Sequence, residues 1–309
     1  MKLIQLLGTT SSGKSDLAVD LALAIQKTHT KVVIVSCDSR QVYTELNLAS
    51  GKVVGTAGFS NILGDTTTFF YREIEHYLIN IVSVSETFTL LDYVENFSKI
   101  VSKLESVGVE YIIMTGGTGM YARSIWEEYQ LKQVSEEDKP EFDQLKTELS
   151  KLILQDLQSQ LNEDTFNDSD WNNSRRLVNA ILKNRFKGED RAIVYPKFDK
   201  KIKFVIDVDF ETLRERILLR LSERLAAGMI PEIEKILINY GDEILYNLGL
   251  ECRYIMLFLT GVINREQLED KLTSELLFYV KRQNTWLSKE KDAVRIVHLD
   301  DILGAIELW

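Results

Sequence analysis

The segment Gly8-Thr9-Thr10-Ser11-Ser12-Gly13-Lys14-Ser15 satisfies G-x-x-x-x-G-K-[ST], and this pattern restricts the fold more tightly than any other stretch of the chain. It works only where a strand delivers the backbone into the loop and a helix leaves it, because loop N–H groups and the positive helix end act together on phosphate oxygens. The flanks supply that frame. Leu3 to Leu7 is a short apolar run ending at Gly8, and Leu17, Ala18, Leu21, Ala24 and Ile25 recur at helical spacing beyond it. The segment is read as a phosphate-binding P-loop lined by Gly8, Thr9, Thr10, Ser11, Ser12, Gly13, Lys14 and Ser15. Lys14 neutralises phosphate charge, and the Ser15 hydroxyl is placed to ligate Mg²⁺.

The remaining pattern extends this frame. Val32 to Cys37 is apolar and β-branched on nearly every residue, as in a parallel strand buried on both faces, and the polar loop Asp38-Ser39-Arg40-Gln41 leaves its end. Tyr77 to Val82 and Tyr111 to Met114 read as further short strands, with a helix from about Leu90 to Val107 between them. Gly116-Gly117-Thr118-Gly119 forms a third loop at a strand end, and ligands of open parallel sheets collect at that edge. The expected fold is α/β, a P-loop NTPase-like parallel sheet flanked by helices, with a helical insertion. Residues 1–126 and 198–309 form the core, where Lys203 to Val208 and Val294 to His298 have strand character. Residues 127–197 form the insertion, which includes a long amphipathic run from Glu141 to Leu161 and no convincing strand.

With 309 residues and 45% hydrophobic content, the chain can bury a core of its own. Two cysteines, Cys37 and Cys252, are too few for a disulfide framework and point to a cytoplasmic protein. The N-terminal apolar run ends in a motif the fold needs, so it is not read as a cleaved leader, and no apolar stretch approaches a membrane span. No isolated apolar seam calls for a partner helix, so a monomer is expected. The three histidines lack metal-ligand spacing. A formal charge of -10 excludes a protein that grips nucleic acid through bulk electrostatics, leaving only local basic clusters: Arg175-Arg176 with Lys183, Arg185 and Lys187, and Lys281-Arg282.

A P-loop alone does not name a reaction. A small-molecule or nucleotide kinase would use Gly8 to Ser15 for ATP and Asp38 to activate a hydroxyl. The motifs taken together are more specific. Asp38-Ser39-Arg40-Gln41-Val42-Tyr43, Gly51-Lys52, Glu75-His76-Tyr77, Gly116 to Tyr121, Asn173-Ser174-Arg175-Arg176, Leu213 to Arg220 and Lys281-Arg282-Gln283-Asn284-Thr285-Trp286 follow the P-loop in order. In that series the chain resembles, over nearly its whole length, the bacterial tRNA dimethylallyltransferases, also called tRNA isopentenyltransferases.

The resemblance implies that the loop holds the diphosphate of dimethylallyl diphosphate rather than ATP. It also implies that Asp38 is the general base for the N6 amine of an adenosine beside the anticodon of tRNA. Thr10, Lys14, Arg216 and Arg220 would stabilise the leaving diphosphate together with Mg²⁺. Arg216 and Arg220 are four residues apart and so share a helix face, although ion pairs with Glu215 or Glu223 are the alternative. Asp38, Ser39, Arg40, Gln41, Thr118, Asn173, Ser174, Arg175, Arg176, Lys281 and Arg282 are the implied tRNA contacts, with the insertion gripping the anticodon stem. The tail motif could instead brace the site. An adenylate isopentenyltransferase acting on free nucleotides, and a non-catalytic RNA-binding protein, are the other readings. Thr9 replaces the family's usual proline, Ala49-Ser50 a Gly-Thr pair and Glu75 a histidine; Asn80 stands where Asp is common, and Asn179 where a basic residue is frequent.

Overall fold

Residues of the first apolar run, Lys2–Leu7, form β1, and every position after Lys2 is buried, as a strand covered on both faces requires. The computed structural model describes residues 1–190 and 193–306. The later strands are β2 (Val32–Ser36), β3 (Thr56–Phe59), β4 (Thr67–Tyr71), β5 (Ile74–Tyr77), β6 (Tyr111–Thr115), β7 (Lys132–Gln133), β8 (Glu189–Asp190), β9 (Lys200–Ile206) and β10 (Val294–Ile296). Among the described residues, eight of them make one sheet in the order β10-β9-β1-β6-β2-β5-β4-β3. Neighbours from β10 to β5 run parallel; β4 and β3 then extend the sheet antiparallel.

The helices in chain order are α1 (Lys14–Gln26), α2 (Leu90–Ser106), α3 (Gly119–Trp126), α4 (Lys139–Leu149), α5 (Leu154–Gln158), α6 (Asp168–Trp171), α7 (Ser174–Arg185), α8 (Phe210–Ala226), α9 (Met229–Tyr240), α10 (Asp242–Asn247), α11 (Leu250–Leu259), α12 (Arg265–Leu287) and α13 (Leu299–Ile306). Local chemistry sets several of their starts. Thr89 and Asp92 close a capping box on α2, and Asn264 and Gln267 do the same on α12, each pair satisfying orphan N–H groups of the first turn. One buried core joins α1 and α13 to the sheet. A second lies within the layer α8 to α12 and takes in Val42, Tyr43, Leu46 and Ala49, so the chain leaving β2 is plugged into that layer.

The chain divides into two compact units, Met1–Glu128 with Tyr195–Trp309, and Tyr129–Val194. The second has its own small core of Leu149, Leu157, Leu177, Val178, Leu182 and Phe186. One expectation for it, that it holds no strand, is corrected. The amphipathic run Glu141 to Leu161 is carried by two helices: Ile153 is extended (φ -72°, ψ 161°) between α4 and α5, and this turn lets both Leu149 and Leu157 face the same core. The insertion also contains a short antiparallel ladder, β7 with β8, too short to leave a periodic signal.

In the first unit, the expected strand Tyr77 to Val82 ends where it was thought to begin. Leu78 and Asn80 take left-handed backbone (φ 61° and 55°), which breaks the extended run. The segment is a partly buried loop, with Leu78 and Ile79 inside: the N–H groups of Asn80, Ile81 and Val82 donate to the carbonyls of Gln41 and Val42 and pin the loop after β2. The β3–β4 hairpin was not foreseen, because the residues of β3 are mostly exposed and show no alternation.

Glu75, the family's histidine position, anchors that hairpin. Its carboxylate is 5% exposed and accepts from Ser60 Oγ (2.6 Å), Tyr77 OH (2.5 Å), Asn61 N (2.7 Å) and Ile62 N (3.2 Å). Removing it takes the shared acceptor from all four donors; Ser60 Oγ and Tyr77 OH keep each other (2.8 Å) and Ile62 N keeps Ser60 Oγ (3.0 Å), but Asn61 N and one hydroxyl proton lose their partner. Glu75→Ala is therefore expected to lower stability by about 3 kcal/mol, read from the midpoint of urea unfolding. An unchanged midpoint would show that the turn at residues 60–62 holds itself.

Candidate active site

Between β1 and α1 the chain turns through Ser11 (φ 60°) and Gly13 (φ 88°). Left-handed residues interleaved in a tight loop build the anion-binding nest expected of a P-loop, and glycine takes that conformation at Gly13 without a Cβ penalty. Ser12 Oγ is buried without a hydrogen-bond partner, a donor left over inside the loop. Lys14 Nζ folds back to donate to the Thr9 carbonyl at 2.9 Å. Burial pulls the Lys14 ammonium down to about 8; Asp38 nearby opposes the shift, and Arg220 reinforces it.

Asp38 follows β2 and is fixed from two sides. Its Oδ1 accepts from Arg40 N (2.8 Å) and Gln41 N (3.3 Å), and its Oδ2 accepts from Gly117 N (3.1 Å). A Cβ on residue 117 would lie 2.8 Å from that Oδ2, so glycine permits the approach. Thr118 ties the same two loops together. Its Oγ1 accepts from Ser39 N at 2.9 Å and lies 3.1 Å from Ser39 Oγ, while its N–H donates to the Cys37 carbonyl. In this structure Thr118 and Ser39 are occupied with each other, and Gln41 receives a hydrogen bond from Ser36 Oγ at 3.3 Å. Cys37 and Cys252 are both buried and free.

Helix α8 brings the arginines. Arg216 donates to the Ser12 carbonyl of the P-loop at 3.4 Å, and Arg220 donates to the Gly51 carbonyl at 2.6 Å. Both reach backbone carbonyls rather than Glu215 or Glu223. One turn further on, Arg224 donates to the carbonyls of Leu48 (2.6 Å) and Ala49 (2.7 Å) and pairs with Glu251 (3.0 Å). Glu232 accepts from the N–H groups of Asn47, Leu48 and Ala49 at 2.9–3.1 Å. Lys52 donates to the Tyr43 carbonyl and to Asn80 Oδ1. Sequence reasoning missed Arg224 and Glu232 as supports of the 47–51 loop. The i, i+4 spacing that linked Arg216 to Arg220 continues to Arg224 and was the available signal.

The tail motif divides by face. Lys281 and Arg282 are exposed, Lys281 lying 5.4 Å from the Phe210 ring and Arg282 4.5 Å from that of Phe278. Gln283 is buried and points the other way, as described below. Trp286 lies against Gly119, where a Cβ would approach its ring to 2.6 Å. Beyond it, Glu290 pairs with Lys203 (2.6 Å) and Arg123 (2.5 Å), both Lys203 and Glu290 being buried. The Asn173–Arg176 segment belongs to the second unit. There Asn173 Oδ1 caps α7 by accepting from Arg176 N at 3.2 Å, Ser174 and Arg175 are exposed, and Arg176 pairs with Asp170.

A turn with P-loop spacing at one strand end, a carboxylate clamped by the next loop, and arginines from a flanking helix define a candidate active site on a P-loop-like α/β fold. Residues 57–290 match the family described as IPP transferase. The protein from Syntrophus aciditrophicus (strain SB) called tRNA dimethylallyltransferase 1 is 32% identical over 96% of this chain and 93% of its own. The tRNA dimethylallyltransferase 2 of Shewanella sediminis (strain HAW-EB3) is 31% identical over 93% of this chain and 89% of its own. The chain belongs to the IPP transferase family. The fold is shared with the crystal structure of the full-length tRNA isopentenylpyrophosphate transferase from Bacillus halodurans, with a TM-score of 0.65 at 21% identity, covering 99% of this chain and 94% of the other.

Proposed function

We propose that this chain, acting in the cytoplasm as a monomer, transfers the dimethylallyl group of dimethylallyl diphosphate to N6 of the adenosine 3′ to the anticodon in tRNAs reading U-initial codons, and releases diphosphate. The observation that carries the reading is the Asp38 carboxylate, held by three N–H groups with Lys14 and Arg220 beside it. The P-loop N–H groups and Lys14 hold the diphosphate, and Arg216 and Arg220 turn from their backbone carbonyls to the charge that builds on it as the allylic C–O bond breaks. As N6 bonds to the allylic carbon, Asp38 takes its proton. The base must leave its stack to reach this edge. In the first unit Lys281 and Arg282 are the cations offered to tRNA phosphates, and Arg40 and Gln41 line the approach to the base; in the second unit Arg175 and Arg176, with Asn173 and Ser174 beside them, are offered to tRNA separately.

The donor set fits Mg²⁺ carried with the diphosphate. Mg²⁺ takes few protein ligands and several waters and phosphate oxygens, and Ser15, in the first turn of α1, supplies one hydroxyl. Ser15 would hold the ion, which would add positive charge beside the leaving group. No described helix is long and apolar enough to cross a membrane.

Purified chain is incubated with Mg²⁺, labelled dimethylallyl diphosphate and unmodified tRNA, AMP, or ATP. Label entering tRNA is expected. Label entering AMP instead, or ATP hydrolysis without transfer, would overturn the reading. Diphosphate binding has its own signature. Free Lys14 is largely neutral above about pH 8, and the bound anion raises it again, so binding at alkaline pH takes up to about one proton per site. Titration calorimetry in two buffers of different ionisation enthalpy reads this uptake, and proton release would contradict it. Donor affinity should correspondingly fall as pH rises through about 8.

A further inference from the structure

Helix α12 buries a stripe of Leu268, Leu272, Leu276, Val280, Gln283 and Leu287, and Gln283 is its one polar member. A primary amide on an apolar stripe is costly unless its donors and acceptor are met. Here they are met by the two loops of the active site. Gln283 Oε1 accepts from Thr10 N in the P-loop at 2.9 Å, and its Nε2 donates to the Gly117 carbonyl at 3.3 Å. The partners fix the amide's orientation, since an N–H needs the oxygen and a carbonyl needs the NH₂. Gly117 is the residue whose own N–H holds Asp38 Oδ2 at 3.1 Å. One side chain, 9% exposed, therefore links the loop for the diphosphate to the residue that clamps the carboxylate. Tyr279 OH lies 3.5 Å from the same Gly117 carbonyl and steadies it further.

We propose that Gln283 is a positioning residue that sets the distance between the P-loop and Asp38, and hence between the allylic carbon and the amine that attacks it. The inference rests on Asp38 being the base. Gln283 touches neither substrate; it acts through Thr10 and Gly117. Transfer needs the two reactants in register to within a fraction of an ångström, whereas diphosphate affinity comes from loop N–H groups and Lys14 and does not need that register.

The test uses the full chain with Gln283→Met and Gln283→Glu. Q283M keeps the shape of the side chain and loses both hydrogen bonds. Its kcat is expected to fall by about 30- to 100-fold, while KM for dimethylallyl diphosphate stays within about threefold of native because P-loop anion binding is left intact. Q283E separates positioning from simple packing. When ionised, its second oxygen opposes the Gly117 carbonyl and adds charge beside Asp38. When protonated, its O–H donates to that carbonyl while its other oxygen accepts from Thr10 N, which restores the native pattern. The ratio of Q283E to native kcat is expected to rise at least about tenfold between about pH 8 and pH 6, as a buried carboxyl takes up its proton.

Native kcat in Q283M, or a Q283E ratio that does not change with pH, would overturn the proposal. If Q283M melts well below the native chain, the Q283E ratio decides alone. D38N is assayed alongside: an active D38N removes the base and this inference with it, whereas an inactive D38N beside a fully active Q283M removes the inference only.

Discussion

Asp38→Asn is expected to reduce tRNA prenylation about a thousandfold in kcat, the middle of the range for losing a positioned general base, with tRNA binding by gel shift near native. The carboxamide has the shape of the carboxylate but no free basic oxygen. It also meets a donor on either side. Whichever way it is turned, an NH₂ faces either the Gly117 N–H or the N–H groups of Arg40 and Gln41, all of which now donate to Asp38. Part of the loss thus comes from misplacing the loop, and Asp38→Glu distinguishes the two parts. Glu keeps a basic oxygen but displaces it by a methylene, so it is expected to recover some of the turnover that Asn cannot. D38N retaining more than about a tenth of native turnover would mean that the base lies elsewhere.

Lys14→Met is expected to cost about 100- to 1000-fold in kcat, the effect of removing one stabiliser of developing charge, and to raise KM for dimethylallyl diphosphate as well. The same substitution should leave the ligand-free protein as stable as native at neutral pH or more so. Burial holds the folded Lys14 near 8, below its ordinary 10.5. The protonated form is therefore disfavoured by folding, and the cost is full below about pH 8 and fades as pH rises toward 10.5. Methionine avoids that cost, so the melting-point difference between K14M and native should shrink at alkaline pH. A K14M protein that melts far below native at pH 7 would show that the Lys14–Thr9 hydrogen bond matters more to folding than the buried charge costs.

The P-loop, the Asp38 loop and the Gly116 to Tyr121 loop were legible because each is a short motif whose chemistry needs consecutive residues at a strand end. β1, β2 and β6 were legible because strands buried on both faces leave apolar runs that do not depend on distant partners. Legibility failed where burial and backbone shape part company. Leu78 to Val82 looks like a strand because it is apolar and Leu78 and Ile79 are buried, yet the left-handed Leu78 and Asn80 make it a loop. β3 left no trace because its exposed residues owe their extension to β4 alone. In the site, Arg224 and Glu232 were missed because they hold backbone groups of residues 47–49, nearly two hundred positions away, and backbone groups carry no sequence signature. Gln283 was within reach, since a glutamine interrupts an otherwise leucine and valine stripe, but its partners Thr10 and Gly117 lie in other segments.

Helix α12 is about 35 Å long at the usual rise per residue. Its first turns are wedged into the helical layer through Leu268 and Leu272, and its last turns carry Gln283 and Trp286 against the catalytic loops. The same core takes in Leu276 and Val280, the latter one turn before Gln283. A methylene lost at Leu272 is expected to cost stability, and any shift of the helix that follows is carried toward loops where a fraction of an ångström matters to a reacting bond. Residues of the helical layer that never approach a substrate would thus answer for rate as well as for packing.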